Sequence, residues 1–82
     1  MLSHAVSRRY ARALFELAQE KGLLDQINRE LELVVNMYEA DSFLRAFMND
    51  VMISPSKKRE VLRDAFEGKV SPLMLNFLYV VV

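Results

Sequence analysis

Residues 7–22 read SRRYARALFELAQEKG, and this stretch predicts the first helix of the fold. Its apolar residues recur every three or four positions, which is the spacing of one face of an α-helix. Gly22 follows the end of that pattern, and glycine most readily takes the left-handed conformation that closes many helices. We therefore expect the helix to end just before Gly22, with Leu23 folding back onto Leu17 or Ala18.

The apolar surface of this first helix is wide. On a helical wheel it covers about 200°, whereas an ordinary surface helix shows an apolar stripe of roughly 100°. Its members are Val6, Tyr10, Ala11, Ala13, Leu14, Phe15, Leu17 and Ala18. The helix should therefore bury two faces, either at the centre of a bundle, where other helices surround it, or partly against a partner.

The next two helices follow closely. A second helix is expected over residues 24–40, and the connection before it is so short that the two helices should form an antiparallel hairpin. Asp41 or Ser42 should cap a short third helix, because both residue types accept hydrogen bonds from the free N–H groups at a helix start. A turn is expected over residues 49–53.

Two similar helix starts occupy the rest of the chain, in ISPSKKREVLRDAFEG and VSPLMLNFLYVVV. In each, a serine (Ser54 or Ser71) precedes a proline that suits the first helical position, where a missing N–H costs nothing. Gly68 should end the fourth helix. Because no stretch alternates as a strand would, the sequence predicts an all-α fold, a compact bundle of five to six helices in a single domain over residues 1–82.

The composition limits the classes of function. With 82 residues the chain suits one domain, and 52% of them are hydrophobic, enough for a modest core. Eleven basic and eleven acidic residues cancel, so the basic excess typical of nucleic-acid binding is missing and no nucleic-acid partner is expected. The apolar residues 73–82 form a stretch far shorter than the roughly 20 residues of a membrane span, so no direct membrane insertion is expected.

The last helix raises the same question as the first. Over residues 73–82 only Asn76 is polar apart from the Tyr79 hydroxyl, and a helix that is apolar all round is buried all round. Surplus apolar surface on both helices predicts a groove between them. Alanines at positions 11, 13 and 18 would let another helix approach closely, and Tyr10 and Asn76 would orient it, as in the helix-in-groove mode of recognition.

An ordered set of short motifs runs along nearly the whole chain. Its pieces are Tyr10-Ala11-Arg12-Ala13-Leu14-Phe15-Glu16-Leu17-Ala18, Gly22-Leu23-Leu24, Ile53-Ser54-Pro55 followed by Lys57-Lys58, Ser71-Pro72-Leu73, and Asn76-Phe77-Leu78. Each piece is a weak motif alone, but the ordered set is quite specific. It resembles the delta subunit family of F-type ATP synthases, whose mitochondrial counterpart is the oligomycin-sensitivity-conferring protein (OSCP).

The resemblance implies the N-terminal helical domain of a peripheral stalk, a non-catalytic stator at the cytoplasmic face of the inner (cell) membrane. In that family this domain sits atop the catalytic head and binds the N-terminal helices of alpha subunits in a groove between its first and fifth helices, so that the head resists rotor torque during proton-coupled ATP synthesis. Carried over by position, the partner-binding residues would be Tyr10, Ala13, Leu14, Leu17, Asn76, Tyr79 and Val80.

Two departures from the family pattern qualify these expectations. The family chain is considerably longer, and its C-terminal, stalk-binding part, which joins the b subunits, is expected to be absent from these 82 residues. Binding to b is therefore not expected of this chain. Tyr79 also stands where a charged residue is common in the family.

No catalytic, cofactor or metal site is expected. His4 is the only histidine and there is no cysteine, so a metal lacks a set of nitrogen and sulfur ligands. No glycine-rich phosphate loop occurs, and the acidic residues are scattered. Ser54 and Ser71 have no indicated base and are interpreted as helix caps rather than nucleophiles. The basic clusters Arg8-Arg9-Arg12 and Lys57-Lys58-Arg59 are interpreted as solvated faces, with contact to an acidic partner as the alternative.

Two other classes of protein stay as alternatives. Asp41-Ser42-Phe43 partly matches the Asp-Ser-Leu attachment site of acyl carrier domains, in which Ser42 would carry phosphopantetheine. Such domains are usually strongly acidic, whereas this chain is neutral. A helix-turn-helix DNA binder is the other class, but the last helix is too apolar to enter a major groove.

Overall fold

The computed structural model describes the backbone of residues 4–82 and the side chains of residues 8–82. Expectations about the side chains of His4 and Val6 lie outside the described residues. Five helices and no strand occur in the described part of the chain: α1 (His4–Glu20), α2 (Leu24–Ala40), α3 (Ser42–Asn49), α4 (Pro55–Phe66) and α5 (Pro72–Val81). The predicted all-α fold is confirmed, with five helices. Within the same residues, none of these helices has both the length and the apolarity needed to cross a bilayer.

The α1–α2 connection has the hydrogen bonds of a Schellman motif. Gly22 has a φ of 70°, in the left-handed region, and its N–H donates to the Gln19 carbonyl at 3.2 Å. The Leu23 N–H donates to the Ala18 carbonyl at 2.7 Å. The Leu23 side chain packs against the hydrophobic core cluster, of which Ala18 is a member.

Asp41 joins α2 to α3. Of the two candidate caps, Asp41 is the one used, since its carboxylate accepts a hydrogen bond from the Leu44 N–H at 3.0 Å. On the other side of the junction, the Arg45 guanidinium donates to the carbonyls of Tyr38 and Glu39. Two of the last carbonyls of α2 and one of the first N–H groups of α3 thus have hydrogen-bond partners within a few residues.

The two serine-proline starts behave as predicted. Ser54 Oγ accepts from the Lys57 N–H and Ser71 Oγ from the Met74 N–H, each at 3.3 Å. In both helices proline lies in the first turn. α4 ends just before Gly68, whose φ of 83° is again in the left-handed region.

The core lies where α5 meets α1, α2 and α4, and α3, which packs against α2, adds two side chains to it. Its buried members are Leu14, Ala18, Ile27, Leu44, Met48, Leu62, Phe66, Met74 and Leu78. The side chains of Ile27, Phe66 and Met74 are the largest that are fully buried. α5 packs against three other helices. These contacts explain why its sequence is apolar around most of the helix.

Lys58 corrects one expectation from the sequence. The cluster Lys57-Lys58-Arg59 was interpreted as solvated, and Lys57 and Arg59 are exposed, but Lys58 is only 7% exposed. The reason is helical spacing, since Lys58 lies four residues before Leu62 and so shares the buried face of α4. A lysine has a long aliphatic stem that can cover apolar surface.

Candidate partner-binding groove between α1 and α5

α1 and α5 pack against each other and leave a depression of about 160 Å³ on the surface between them, the α1–α5 groove. Four residues of each helix line it: Tyr10, Ala13, Leu14, Leu17, Leu73, Asn76, Phe77 and Val80. Each set recurs at three- and four-residue spacing, so each forms one stripe on its helix. The groove is therefore made from two facing helical stripes.

The structure brings six of the seven sequence-predicted contact residues together in this groove. These are Tyr10, Ala13, Leu14, Leu17, Asn76 and Val80. Tyr79 is not among the lining residues; it is half-buried and packs against the hydrophobic core cluster. Its helical position, about 100° away from Val80, accounts for the difference. Contact of any of the seven with a partner stays a prediction.

The lining residues divide into a floor and two walls. Leu14 is only 6% exposed, so it belongs both to the core and to the floor of the groove. Tyr10, Leu17 and Val80 are 41%, 37% and 39% exposed and form the walls. Ala13 is exposed and small, which leaves room for another backbone to approach. The groove thus offers partly exposed apolar side chains above a buried base.

Two lining residues, Leu73 and Phe77, were missed by the sequence reasoning. Both are half-buried and lie on the same α5 stripe as Asn76 and Val80. The spacing of 73, 76, 77 and 80 is that of one stripe on a helix. It was hidden because nearly every position of α5 is apolar, so periodicity alone selected no face.

The groove is almost entirely apolar and carries no charge. Among the lining residues only the Asn76 amide and the Tyr10 hydroxyl are polar, and none is charged. An apolar depression with a few polar groups suits the apolar face of a helix, with those groups setting its orientation. The arginines of α1 (Arg8, Arg9 and Arg12) are exposed and do not line the groove, and Arg12 forms an ion pair with Glu16, four residues later, at 3.0 Å.

A second, larger apolar pocket of about 270 Å³ lies among α2, α3, α4 and the end of α5. It is lined by Val34, Val35, Tyr38, Glu39, Leu44, Met48, Leu62, Phe66, Leu78, Val81 and Val82. Many of these residues belong to the core cluster or pack against it. The sequence reasoning did not anticipate this pocket, because its walls depend on how four helices pack together.

Comparisons with known proteins give one consistent result. A family model described as ATP synthase delta (OSCP) subunit matches residues 6–82. The ATP synthase subunit delta of Symbiobacterium thermophilum is 79% identical over 100% of this chain, which covers 44% of that relative. Those of Shouchella clausii and Halalkalibacterium halodurans are 45% and 44% identical over 93% and 100% of this chain, covering 42% and 45% of the relatives. The chain thus spans less than half the length of these curated relatives. No solved structure matches the chain.

Proposed function

The chain belongs to the ATP synthase delta (OSCP) subunit family, and we propose that it is a non-catalytic stator part of an F-type ATP synthase. Its role is to hold the N-terminal helix of an alpha subunit in the α1–α5 groove. The observation that carries this proposal is the groove itself, whose two facing stripes leave apolar side chains half-exposed at the surface.

The exposed fractions of the lining side chains set the order of magnitude of the binding free energy that the groove can contribute. Full burial of a large apolar side chain contributes about 1.5–3 kcal/mol. Tyr10, Leu17 and Val80 each keep roughly 40% of their surface exposed, so covering them would contribute about 2–4 kcal/mol before association costs. The partner helix must add burial of its own apolar face. The groove therefore fixes where and how the helix lies, and supplies part of its affinity.

The mechanism is mechanical rather than chemical. The rotor exerts torque on the catalytic head, and a stalk that grips the head prevents it from turning with the rotor. A helix lying along a groove between two packed helices resists both sliding and rotation, because its side chains must leave their positions on the floor and walls. In this proposal the domain sits on the head, at the cytoplasmic face of the membrane, during proton-coupled synthesis.

Contact with the b subunits of the stalk is assigned to other parts of the family protein. The chain covers 44% of its Symbiobacterium relative. In the family, the C-terminal part makes the connection to b. We therefore propose the alpha subunit, and not b, as the partner of these 82 residues.

The acyl-carrier alternative gains nothing from family membership. Ser42 is exposed at the first position of α3, but the acid before it is engaged, since Asp41 accepts from the Leu44 N–H. The local Asp-Ser pattern is thus explained by helix capping.

A peptide titration tests the proposed function. A synthetic peptide with the sequence of an alpha-subunit N-terminus is added to the ¹⁵N-labelled 82-residue chain, and amide shifts are followed by NMR. The expected shifts cluster on α1 and α5, at residues that line the groove. Shifts clustered on α2 and α3, or no shifts at saturating peptide, would contradict the proposal.

A further inference from the structure

We propose that Glu30 is a positioning residue for the α1–α5 groove. Its carboxylate fastens the N-terminal end of α5 to α2 and thereby fixes the α5 wall of the groove. This inference rests on the proposed function, because it assigns Glu30 a part in helix binding although Glu30 does not line the groove.

Both oxygens of the Glu30 carboxylate bind one residue of the α5 start. Oε1 accepts a hydrogen bond from the Ser71 N–H at 2.6 Å, and Oε2 accepts one from the Ser71 hydroxyl at 2.8 Å. The two residues are 41 positions apart, so the contact is a tertiary link between helices. One turn earlier on α2, the Gln26 amide donates to Oε1 at 3.2 Å and orients the carboxylate.

The link continues into the first turn of α5. Ser71 is the N-cap of this helix, and its hydroxyl accepts from the Met74 N–H at 3.3 Å while donating to Glu30. Hydrogen bonds to an ionised acceptor are shorter and stronger than neutral ones, and a negative charge is favourable at a helix N-terminus. The Glu30 carboxylate, the Ser71 hydroxyl and the Met74 N–H therefore form a chain of hydrogen bonds that runs from α2 into the first turn of α5.

The position of this link explains its effect on the groove. Leu73, the first α5 residue that lines the groove, is only two residues after Ser71, and the other lining residues follow on the same helix. α2 is in turn joined to α1 through the short connection at Gly22. Both walls of the groove are thus positioned relative to α2. The α1 wall is held through the α1–α2 hairpin, and the α5 wall is held through Glu30.

Core packing alone would fix the position of α5 less specifically than the hydrogen bonds to Glu30 do. Met74 and Leu78 bury their side chains in the core, but apolar contacts have no preferred direction, and α5 is apolar on nearly every face. On such a helix a rotated position would still place apolar side chains against the core, so apolar burial alone discriminates weakly between rotations. Hydrogen bonds depend on distance and angle, so the Glu30 contacts select one arrangement.

The test compares Glu30→Gln with Glu32→Gln in the 82-residue chain. Glu32 is exposed on the same helix, so the control makes the same change of charge without touching Ser71. A third variant, Glu30→Asp, keeps the charge but shortens the reach by one methylene. Each protein is measured for alpha-peptide affinity, for amide shifts, and for NOEs between side chains on opposite walls of the groove.

For Glu30→Gln we expect unchanged helix content and about 3- to 10-fold weaker peptide binding, because the apparent dissociation constant rises as the fraction of binding-competent protein falls. Amide shifts should spread from Ser71 along α5 as far as Asn76 and Val80, with weakened NOEs across the groove. Glu32→Gln should match the unsubstituted chain. If the contact with Ser71 matters, Glu30→Asp should behave like Glu30→Gln. Peptide binding by Glu30→Asp as tight as that of the unsubstituted chain would contradict the proposal.

Further results of the same measurements bear on the positioning role of Glu30 and on the proposed function. Shifts confined to the neighbours of Ser71, with affinity equal to that of Glu32→Gln, would overturn the positioning role. If Glu30→Gln unfolds the chain, Ser71→Ala replaces it with the same expectations; this change removes the hydroxyl's bonds to Glu30 and to the Met74 N–H but keeps the backbone N–H bond to Glu30. If the unsubstituted chain does not bind the peptide, the proposed function fails, while the NOEs across the groove still decide whether Glu30 sets its geometry.

Discussion

Replacing Ala13 by arginine tests whether position 13 belongs to the groove or to the core. Ala13 is exposed and lies on the α1 side of a depression of about 160 Å³. In the free chain the arginine can extend into solvent, and arginine is a good helix former. We therefore expect the free energy of unfolding to change by no more than about 0.5 kcal/mol, as for most surface substitutions.

Binding should respond much more strongly. A helix seated over position 13 must cover the guanidinium or lose its contacts with the groove, and a charge buried without a partner costs about 3 kcal/mol or more. Since 1.4 kcal/mol corresponds to a factor of ten, the affinity for the alpha peptide should fall by about 100-fold or more.

The assay is titration calorimetry with the alpha peptide, beside thermal unfolding followed by circular dichroism. The matched control is Ala46→Arg, because Ala46 is also exposed and helical but lies on α3, outside the groove. Equal affinity for Ala13→Arg and Ala46→Arg would refute the reasoning. Unfolding of Ala13→Arg alone would show that position 13 belongs to the core.

Four further substitutions, at Leu14, Gly22, Asp41 and Ser42, test the interpretation of the fold. Leu14→Ala removes a side chain that is 6% exposed and should lower the free energy of unfolding by about 2–5 kcal/mol in urea titrations; a loss below about 1 kcal/mol would mean that the floor of the groove is not part of the core. Gly22→Ala should cost roughly 1–2 kcal/mol in thermal unfolding through φ strain alone, because no atom beyond the two adjoining residues lies within 4 Å of the added Cβ; an unchanged melting temperature would argue against the left-handed cap. Asp41→Ala should cost about 0.5–2 kcal/mol and Ser42→Ala much less, and the reverse order would make Ser42 the cap.

The helix boundaries were predictable because their signals are local. Gly22, Asp41, Ser54 and Ser71 act through hydrogen bonds to residues a few positions away, so the sequence around each is sufficient to interpret it. The position of the groove was predictable for a related reason. Wide apolar arcs on the first and last helices could be read without knowing how the helices pack.

The remaining features depend on packing between distant residues. Leu73 and Phe77 could not be chosen on a helix that is apolar at almost every position, and Tyr79 was assigned to the groove although it packs against the core. The contact between Glu30 and Ser71 spans 41 residues. In the sequence Glu30 is one of several scattered acids, and nothing nearby distinguishes it from Glu32.

Intermolecular NOEs between an alpha-subunit peptide and the isotope-labelled chain test the central claim most directly. The α1–α5 groove and the larger pocket among α2, α3, α4 and α5 have separate lining residues, so the NOEs distinguish them. We predict NOEs from peptide methyl groups to Ala13, Leu17 and Val80. NOEs to Val34 and Val35 instead, with none to those three residues, would contradict the assignment of the groove as the binding surface.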